Sequence, residues 1–171
     1  MNFHGGARYD FSSLNVLVVE DNKNMQKLLR TILNALGVRN ICETTTGNEA
    51  FDELQRFEAD IVISDWNMEP MNGLEFTRLV RRDERSPNPY IPIIMLTGHT
   101  ETARVIEARD AGVNMFLAKP ISVTALSERL TSLIDNPTRF VRTDTYFGPD
   151  RRRKNTGPPK GVAERRKDRQ E

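Results

Sequence analysis

Short apolar runs alternate with amphipathic segments between Leu14 and about Asn136. Three of the runs are rich in valine and isoleucine without polar alternation, which is typical of strands buried on both faces of a sheet. The runs are Val16 to Val19, Ile41-Cys42, Ile61 to Ile63, Ile91 to Leu96 and Met115 to Ala118. Helical spacing of apolar positions follows each run, most clearly from Met25 to Leu36. This order predicts a doubly wound α/β domain, with five parallel strands and five helices on both faces of the sheet.

The two ends of the chain lack this alternation. Residues 148–171 are rich in glycine, proline, arginine and lysine and contain almost no aliphatic side chains, so they cannot bury enough apolar surface to order themselves. We therefore expect a flexible lead-in over residues 1–13 and a folded domain over residues 14–136. Residues 137–171 are expected to form a basic, mostly disordered tail.

Charge is distributed unevenly along the chain. Residues 137–171 hold 11 lysines and arginines against 5 aspartates and glutamates, whereas the whole chain holds 25 against 24, so an acidic domain carries a basic tail. Neither a signal-like apolar segment nor a run of 18 apolar residues occurs, and we expect a cytoplasmic protein without membrane insertion. The single cysteine, Cys42, excludes an internal disulfide and a cysteine zinc site, and we interpret it as a small buried hydrophobe.

Residues suited to phosphoryl chemistry follow four of the five predicted strands. Strand one is followed by Glu20 and Asp21, strand three by Asp65, strand four by Thr97 and strand five by Lys119. Ligands of doubly wound sheets bind beyond the carboxyl ends of the strands, so we expect these side chains to share one pocket. Three clustered carboxylates repel each other, and a hard cation such as Mg²⁺ relieves that repulsion. A carboxylate can also attack phosphorus, while the ammonium and the hydroxyl contact the phosphoryl oxygens.

The same residues stand in motifs that resemble those of two-component response-regulator receiver domains, nearest to the stand-alone chemotaxis type. The motifs, in chain order, are Val18-Val19-Glu20-Asp21-Asn22, Asp65-Trp66-Asn67-Met68-Glu69-Pro70-Met71-Asn72-Gly73, Met95-Leu96-Thr97-Gly98 and Ala118-Lys119-Pro120. The resemblance covers roughly residues 12–136. It implies a flavodoxin-like strand order 2-1-3-4-5, Mg²⁺ as cofactor, and a histidine kinase or histidine phosphotransfer protein as the phosphoryl donor.

The resemblance also implies roles for the acidic residues. Asp65 is expected to be the phosphoacceptor. Glu20, Asp21 and Asp65 are expected to hold Mg²⁺ together with the main-chain carbonyl of Asn67, whose side chain stands where the family tunes the phosphoryl lifetime. Glu20 departs from the family, which more often has aspartate as the first acid, but it still supplies an oxygen ligand.

Further roles fall on the later strands. Thr97 resembles the switch hydroxyl and Lys119 the phosphate-sensing lysine, whose bond to Pro120 is expected to be cis. Phe116 stands at the switch-aromatic position, where the family often has tyrosine, and is otherwise an ordinary core residue. His99 occupies a second lifetime-tuning position, or is a solvated loop residue.

Three functional alternatives remain open at this point. The leading prediction is a signalling switch, monomeric or weakly dimeric, that acts by protein contact and has no enzymatic activity beyond Mg²⁺-dependent self-phosphorylation and autodephosphorylation. An enzyme on the same architecture does not fit the sequence. A hydrolase working through an aspartyl phosphate would have a second aspartate where this chain has Asn67, and Glu20-Asp21 would repel phosphates at the loop where a flavin or dinucleotide site binds them. The aromatic and arginine residues after Pro137 suggest RNA or DNA binding, although a solvated tail is favoured. A receiver-like docking module that works without phosphorylation is the third alternative. We also hypothesise that the aromatic part of the tail docks on the receiver domain or on its partner.

Overall fold

The computed structural model describes residues 9–98 and 103–151. Five parallel strands form one sheet in the order β2-β1-β3-β4-β5, which confirms the predicted topology. These strands are β1 (Asn15–Val19), β2 (Asn40–Thr44), β3 (Ile61–Asp65), β4 (Ile93–Thr97) and β5 (Met115–Ala118). Five α-helices connect and follow them within the described residues: α1 (Lys23–Ala35), α2 (Gly47–Glu53), α3 (Gly73–Arg82), α4 (Val105–Ala111) and α5 (Val123–Asp135). None of these helices is long and apolar enough to cross a membrane.

The central strands are enclosed on both faces of the sheet. All of β3 and β4 is buried, as is β1 after its first residue, which explains why their sequences are apolar without alternation. Helices α1 and α5 pack on one face, and α2, α3 and α4 pack on the other. Val18 belongs to the first of these cores and its neighbour Leu17 to the second, because successive side chains of a strand point to opposite faces.

Side-chain caps begin the helices that follow the functional strand ends. The Asn22 side chain accepts hydrogen bonds from two main-chain N–H groups at the start of α1. Asn72 and Glu75 form a reciprocal capping box at the start of α3. Ser122 caps α5 by accepting from the N–H of Ala125. These caps fix the loops directly after β1, β3 and β5, which are the loops that carry the candidate residues.

The structure differs from the expected flexible lead-in at residues 9–13. Phe11 is buried in the core formed by α1, α5 and the sheet. Tyr9 stacks on the Phe11 ring with 6.1 Å between centroids, and its hydroxyl donates a hydrogen bond to Asp135 at the end of α5. The burial of Phe11 and the contacts of Tyr9 attach this segment to the domain, whereas residues 1–8 lie outside the described part of the chain.

The expectation of a mostly disordered tail from residue 137 is corrected for its first part. Strands β6 (Phe140–Arg142) and β7 (Phe147–Pro149) form an antiparallel hairpin that follows α5. The hairpin is ordered because its phenylalanine rings pack against Tyr90 of the folded domain. The basic residues 152–171 lie outside the described residues.

Candidate functional site

Parallel pairing brings four strand ends to one edge of the sheet. Glu20 directly follows β1, Asp65 is the last residue of β3, and Thr97 is the last residue of β4. Lys119 follows β5, and its N–H donates to the carbonyl of Thr97 at 2.8 Å. The strand register therefore brings these four strand ends together at one edge of the sheet.

The three carboxylates form a compact cluster. Glu20, Asp21 and Asp65 each offer an oxygen within 4.8 Å of the others. Glu20 and Asp65 are buried, whereas Asp21 is exposed. Lys119 Nζ donates to Asp65 Oδ1 at 2.7 Å and lies 4.0 Å from Glu20 Oε2. The cluster opens into a cleft of about 530 Å³, lined by Glu20, Asp21, Asn22, Asn24, Met25, Leu28, Asp65, Asn67 and Lys119.

The electrostatics of the cluster are unfavourable for a buried anion. Burial raises the pKa of Glu20 to about 7, against the opposing hydrogen bond from the Asn22 N–H, and the charge of Asp65 adds to the rise. Burial likewise raises the pKa of Asp65, although Lys119 opposes it. Among the described residues, Glu20 Oε2 is a buried oxygen with no hydrogen-bond partner. Such an oxygen is costly unless a ligand satisfies it.

The donor set fits a hard divalent cation. Mg²⁺ prefers carboxylate and carbonyl oxygens, and the cluster offers three carboxylates, one of which, Glu20, has a buried oxygen without a hydrogen-bond partner among the described residues. The Asn67 residue lines the same cleft, which is compatible with the predicted ligation by its carbonyl. The fit follows from the chemistry of the residues present.

Several residues that support Asp65 were not singled out from the sequence. Ser64 Oγ donates to the Asp65 carbonyl at 3.0 Å. The N–H of Gly73 donates to the carbonyl of Trp66 at 2.8 Å, and a Cβ at Gly73 would collide with the Asp65 carbonyl oxygen. Thr77 Oγ1 in turn donates to the Gly73 carbonyl at 2.8 Å. The close approach explains the glycine in the motif, and the glycine was the signal available in the sequence.

A second support lies behind the first acidic residue. Gln26 is buried in α1, and its Nε2 donates to the carbonyls of Glu20 at 3.4 Å and Thr44 at 3.2 Å. It therefore joins the ends of β1 and β2 beneath the acidic pair. A single glutamine in an amphipathic helix carries no sequence signal for this role, because it reads as one more polar position.

The remaining predicted residues are distributed around this centre. Thr97 is 8% exposed at the end of β4. Phe116 is half-buried and packs against the cluster that contains Trp66, so its location does not separate a switch role from a core role. The bond between Lys119 and Pro120 is cis, as predicted, and the Glu69–Pro70 bond is cis as well. His99 lies outside the described residues.

The profile of the response regulator receiver domain matches residues 16–131 of the chain. The chain belongs to the receiver domain family. This receiver domain is 38% identical over 118 residues to the chemotaxis protein CheY1 of Helicobacter pylori, a match that covers 68% of this chain and 94% of the relative. It is 32% identical over 122 residues to the chemotaxis protein CheY of Pseudomonas aeruginosa, which covers 71% of this chain and 97% of the relative.

One solved structure of similar fold contains a metal ion. It is the receiver domain of the sensor histidine kinase PA1611 from Pseudomonas aeruginosa, with a magnesium ion coordinated in its active-site cleft. The two structures superpose with a TM-score of 0.64 at 28% identity, over 72% of this chain and 98% of the other. The family match and the similarity to the two CheY proteins assign the domain described here to the chemotaxis type of receiver domain, in two-component signalling.

Proposed function

We propose that this receiver domain accepts a phosphoryl group on Asp65 from a histidine kinase or a histidine phosphotransfer protein, and signals by protein–protein contact. The proposal rests on the groups that surround the Asp65 carboxylate. Its carboxylate shares a cleft with Glu20 and Asp21, within 4.8 Å, and accepts a 2.7 Å hydrogen bond from Lys119. A nucleophile between a cation site and a fixed ammonium suits phosphoryl transfer.

Glu20, Asp21, Asp65 and the main-chain carbonyl of Asn67 are the proposed ligands of Mg²⁺. The partnerless oxygen of Glu20 and the magnesium in the related receiver domain support this assignment. When bound, the cation neutralises negative charge on the carboxylates and on the transferring phosphoryl group.

In the proposed transfer step, a carboxylate oxygen of Asp65 attacks the phosphorus of a phosphohistidine. The new O–P bond forms as the P–N bond breaks, and the electron pair of that bond stays on the imidazole nitrogen. Lys119 then shifts its hydrogen bond from the carboxylate to a phosphoryl oxygen, and the Thr97 hydroxyl donates to another. Hydrolysis reverses the modification when water attacks the same phosphorus, at a rate tuned by Asn67 and His99.

The proposed output is a shift between two arrangements of the domain. Thr97 ends β4 and pairs with β5, the strand that carries Phe116, so a movement of its hydroxyl toward the phosphoryl group would be felt at that strand. Trp66 packs against Ala108 and Ala111 of α4 in one buried cluster, and a change at its neighbour Asp65 would be transmitted to α4 through this contact. The phosphorylated arrangement would present a different surface to a partner.

Trp66 provides the test, because it is the only tryptophan and directly follows Asp65. Its fluorescence is followed through a Mg²⁺ titration and then on addition of beryllofluoride, which mimics an acyl phosphate. We expect a saturable response to each in the wild type, and loss of the beryllofluoride response in Asp65→Asn. Asp60→Asn is the matched control, because Asp60 precedes the same strand at its opposite end and should respond as the wild type does.

A wild-type chain that responds to neither reagent would contradict the proposal and would favour a docking module that works without phosphorylation. Incubation with a small-molecule phosphodonor gives an independent reading. Mass spectrometry should detect one added phosphoryl group in the wild type and in Asp60→Asn, and none in Asp65→Asn.

A further inference from the structure

The C-terminal hairpin, residues 139–151, packs on the folded domain at the end opposite the acidic cleft. The ring of Tyr90, in the segment before β4, meets both Phe140 and Phe147 edge-on, with 5.4 Å between centroids in each pair. The two phenylalanine rings lie 5.9 Å apart, and Phe147 is buried. The Asp150 N–H closes the hairpin on the Arg139 carbonyl at 2.6 Å. The contact is therefore an aromatic cluster supported by main-chain pairing.

A buried arginine lies beneath this hairpin. Arg81, in α3, is 2% exposed and donates to the carbonyls of Gly112 at 3.1 and 3.0 Å and Pro89 at 2.9 Å. It also donates to Asn114 Oδ1 at 2.9 Å, and its guanidinium carbon lies 5.0 Å from the centre of the Phe140 ring. Within the described residues it makes no ion pair with a carboxylate. The hairpin thus covers a cation that joins α3 to the turn between α4 and β5.

The hairpin also contacts the last turn of α4. Arg151 forms an ion pair with Asp110 in that turn. Gly112 ends the helix with φ +105°, and a Cβ there would approach the Phe147 carbonyl oxygen at 3.3 Å. A Cβ at Gly148 would approach the Gly112 Cα at 3.0 Å. Such close packing leaves this end of the seven-residue helix little room to move while the hairpin is docked.

The opposite end of α4 contacts the residue after the proposed phosphoacceptor. The guanidinium carbon of Arg104 lies 5.5 Å from the centre of the Trp66 ring. Ala108 and Ala111 of the helix pack in the same buried cluster as Trp66. Helix α4 therefore touches the neighbour of Asp65 at one end and the C-terminal hairpin at the other.

We infer that the C-terminal hairpin inhibits the domain by restraining α4. The docked hairpin favours the arrangement in which Lys119 is bonded to Asp65, and phosphorylation loosens the hairpin. The inference rests on the proposed function, because it takes Asp65 as the phosphoacceptor. The structure contains the docked hairpin together with the 2.7 Å bond from Lys119 to Asp65. A change transmitted through Trp66 shifts α4, and a shift of α4 breaks its contacts with the hairpin. Coupling of two sites is reciprocal, so releasing the hairpin must also favour modification at Asp65.

The first test uses the unaltered full chain. Tryptic cleavage after Arg142, followed by mass spectrometry, reports opening of the hairpin, because Arg142 is the last paired residue of β6 and the next N–H, that of Thr143, donates to the Tyr146 carbonyl at 2.7 Å. With Mg²⁺ present, beryllofluoride should accelerate this cleavage by about fivefold or more, the lower end of usual coupling between sites. An unchanged or slower rate in a chain whose Trp66 fluorescence does respond overturns the inference and leaves the proposed function intact.

The second test releases the hairpin by substitution. Phe140→Ala with Phe147→Ala removes the aromatic contact, whereas Asp144→Ala alters only an exposed residue of the hairpin turn and serves as control. The double variant should be cleaved faster after Arg142. Its beryllofluoride concentration at half-saturation should be lower than that of the wild type by about fivefold or more, while its Mg²⁺ affinity is unchanged. Wild-type beryllofluoride affinity in the double variant, or unchanged cleavage, overturns the inference. Loss of every response to Mg²⁺ and beryllofluoride in the wild type would instead count against the proposed function.

Discussion

Replacing Glu20 by glutamine should stabilise the metal-free protein, although it removes a proposed metal ligand. Glu20 is buried, its Oε2 has no hydrogen-bond partner among the described residues, and its pKa is raised from 4.5 to about 7. The difference corresponds to about 3 kcal/mol of unfavourable charge burial above pH 7. Glutamine keeps an oxygen for the Asn22 N–H but adds an amide that needs a partner, so we expect a net gain of about 1–3 kcal/mol.

The size of this effect depends on pH. Because the pKa of Glu20 is higher in the folded state than in the unfolded one, the folded wild type binds more protons between about pH 4.5 and 7. Its free energy of unfolding should therefore fall as pH rises through that window and level off above it. The Glu20→Gln variant should lack this part of the fall, so the two proteins differ most above pH 7 and least below pH 4.5.

Urea unfolding at pH 8 measures the difference, first with a chelator and then with excess Mg²⁺. Saturating a site about a hundredfold stabilises a protein by about 2.7 kcal/mol, so the wild type should gain that much while Glu20→Gln gains less. Glu84→Gln, at an exposed position after α3, is the matched control and should change neither value. If Glu20→Gln is less stable than the wild type in chelator, the reasoning about the buried carboxylate is refuted.

Three further substitutions test other parts of the structure. Gly73→Ala should lower the free energy of unfolding by more than about 2 kcal/mol, because the new methyl group collides with the main chain at Asp65, and urea unfolding measures it. Arg81→Met should cost about 3 kcal/mol in the same assay, since it leaves buried carbonyls without donors, and tryptic cleavage of the hairpin should accelerate. A stability equal to that of the wild type would contradict either expectation. Asn72→Ala removes the capping box and should cost about 1 kcal/mol, measured by thermal unfolding, whereas Asn34→Ala inside α1 should cost less.

Much of the fold was predictable because short apolar runs without alternation, rich in valine and isoleucine, are typical of strands enclosed on both faces. Val16 to Val19 is such a run, and its burial follows from the helices on either side. The convergence of Glu20, Asp65 and Lys119 was predictable for a geometric reason, since parallel strands end at the same edge.

The features that escaped prediction depend on single side chains and distant partners. Phe11 is an isolated aromatic in a polar segment, so no periodic pattern marks it as buried. Docking of the tail aromatics on the receiver domain or on its partner was hypothesised, and Phe147 is buried, but the sequence does not indicate which residue it contacts. The partner of Phe147 is Tyr90, which lies far earlier in the chain. Gln26 and Ser64 support the site by donating to main-chain carbonyls. Every residue carries such a carbonyl, so the sequence does not show which one a side chain contacts.

The docked hairpin changes where the functional unit of this chain ends. The alternating pattern stops near Asn136, and a fluorescent protein fused there, or a chain shortened there, would preserve every strand of the parallel sheet. It would also remove the phenylalanine rings that pack against Tyr90 and the aromatic cover of the Arg81 guanidinium. Fusions made after residue 151 keep both contacts. Signalling measured on the shorter product would therefore describe a different protein, one freed from contacts that the complete domain carries.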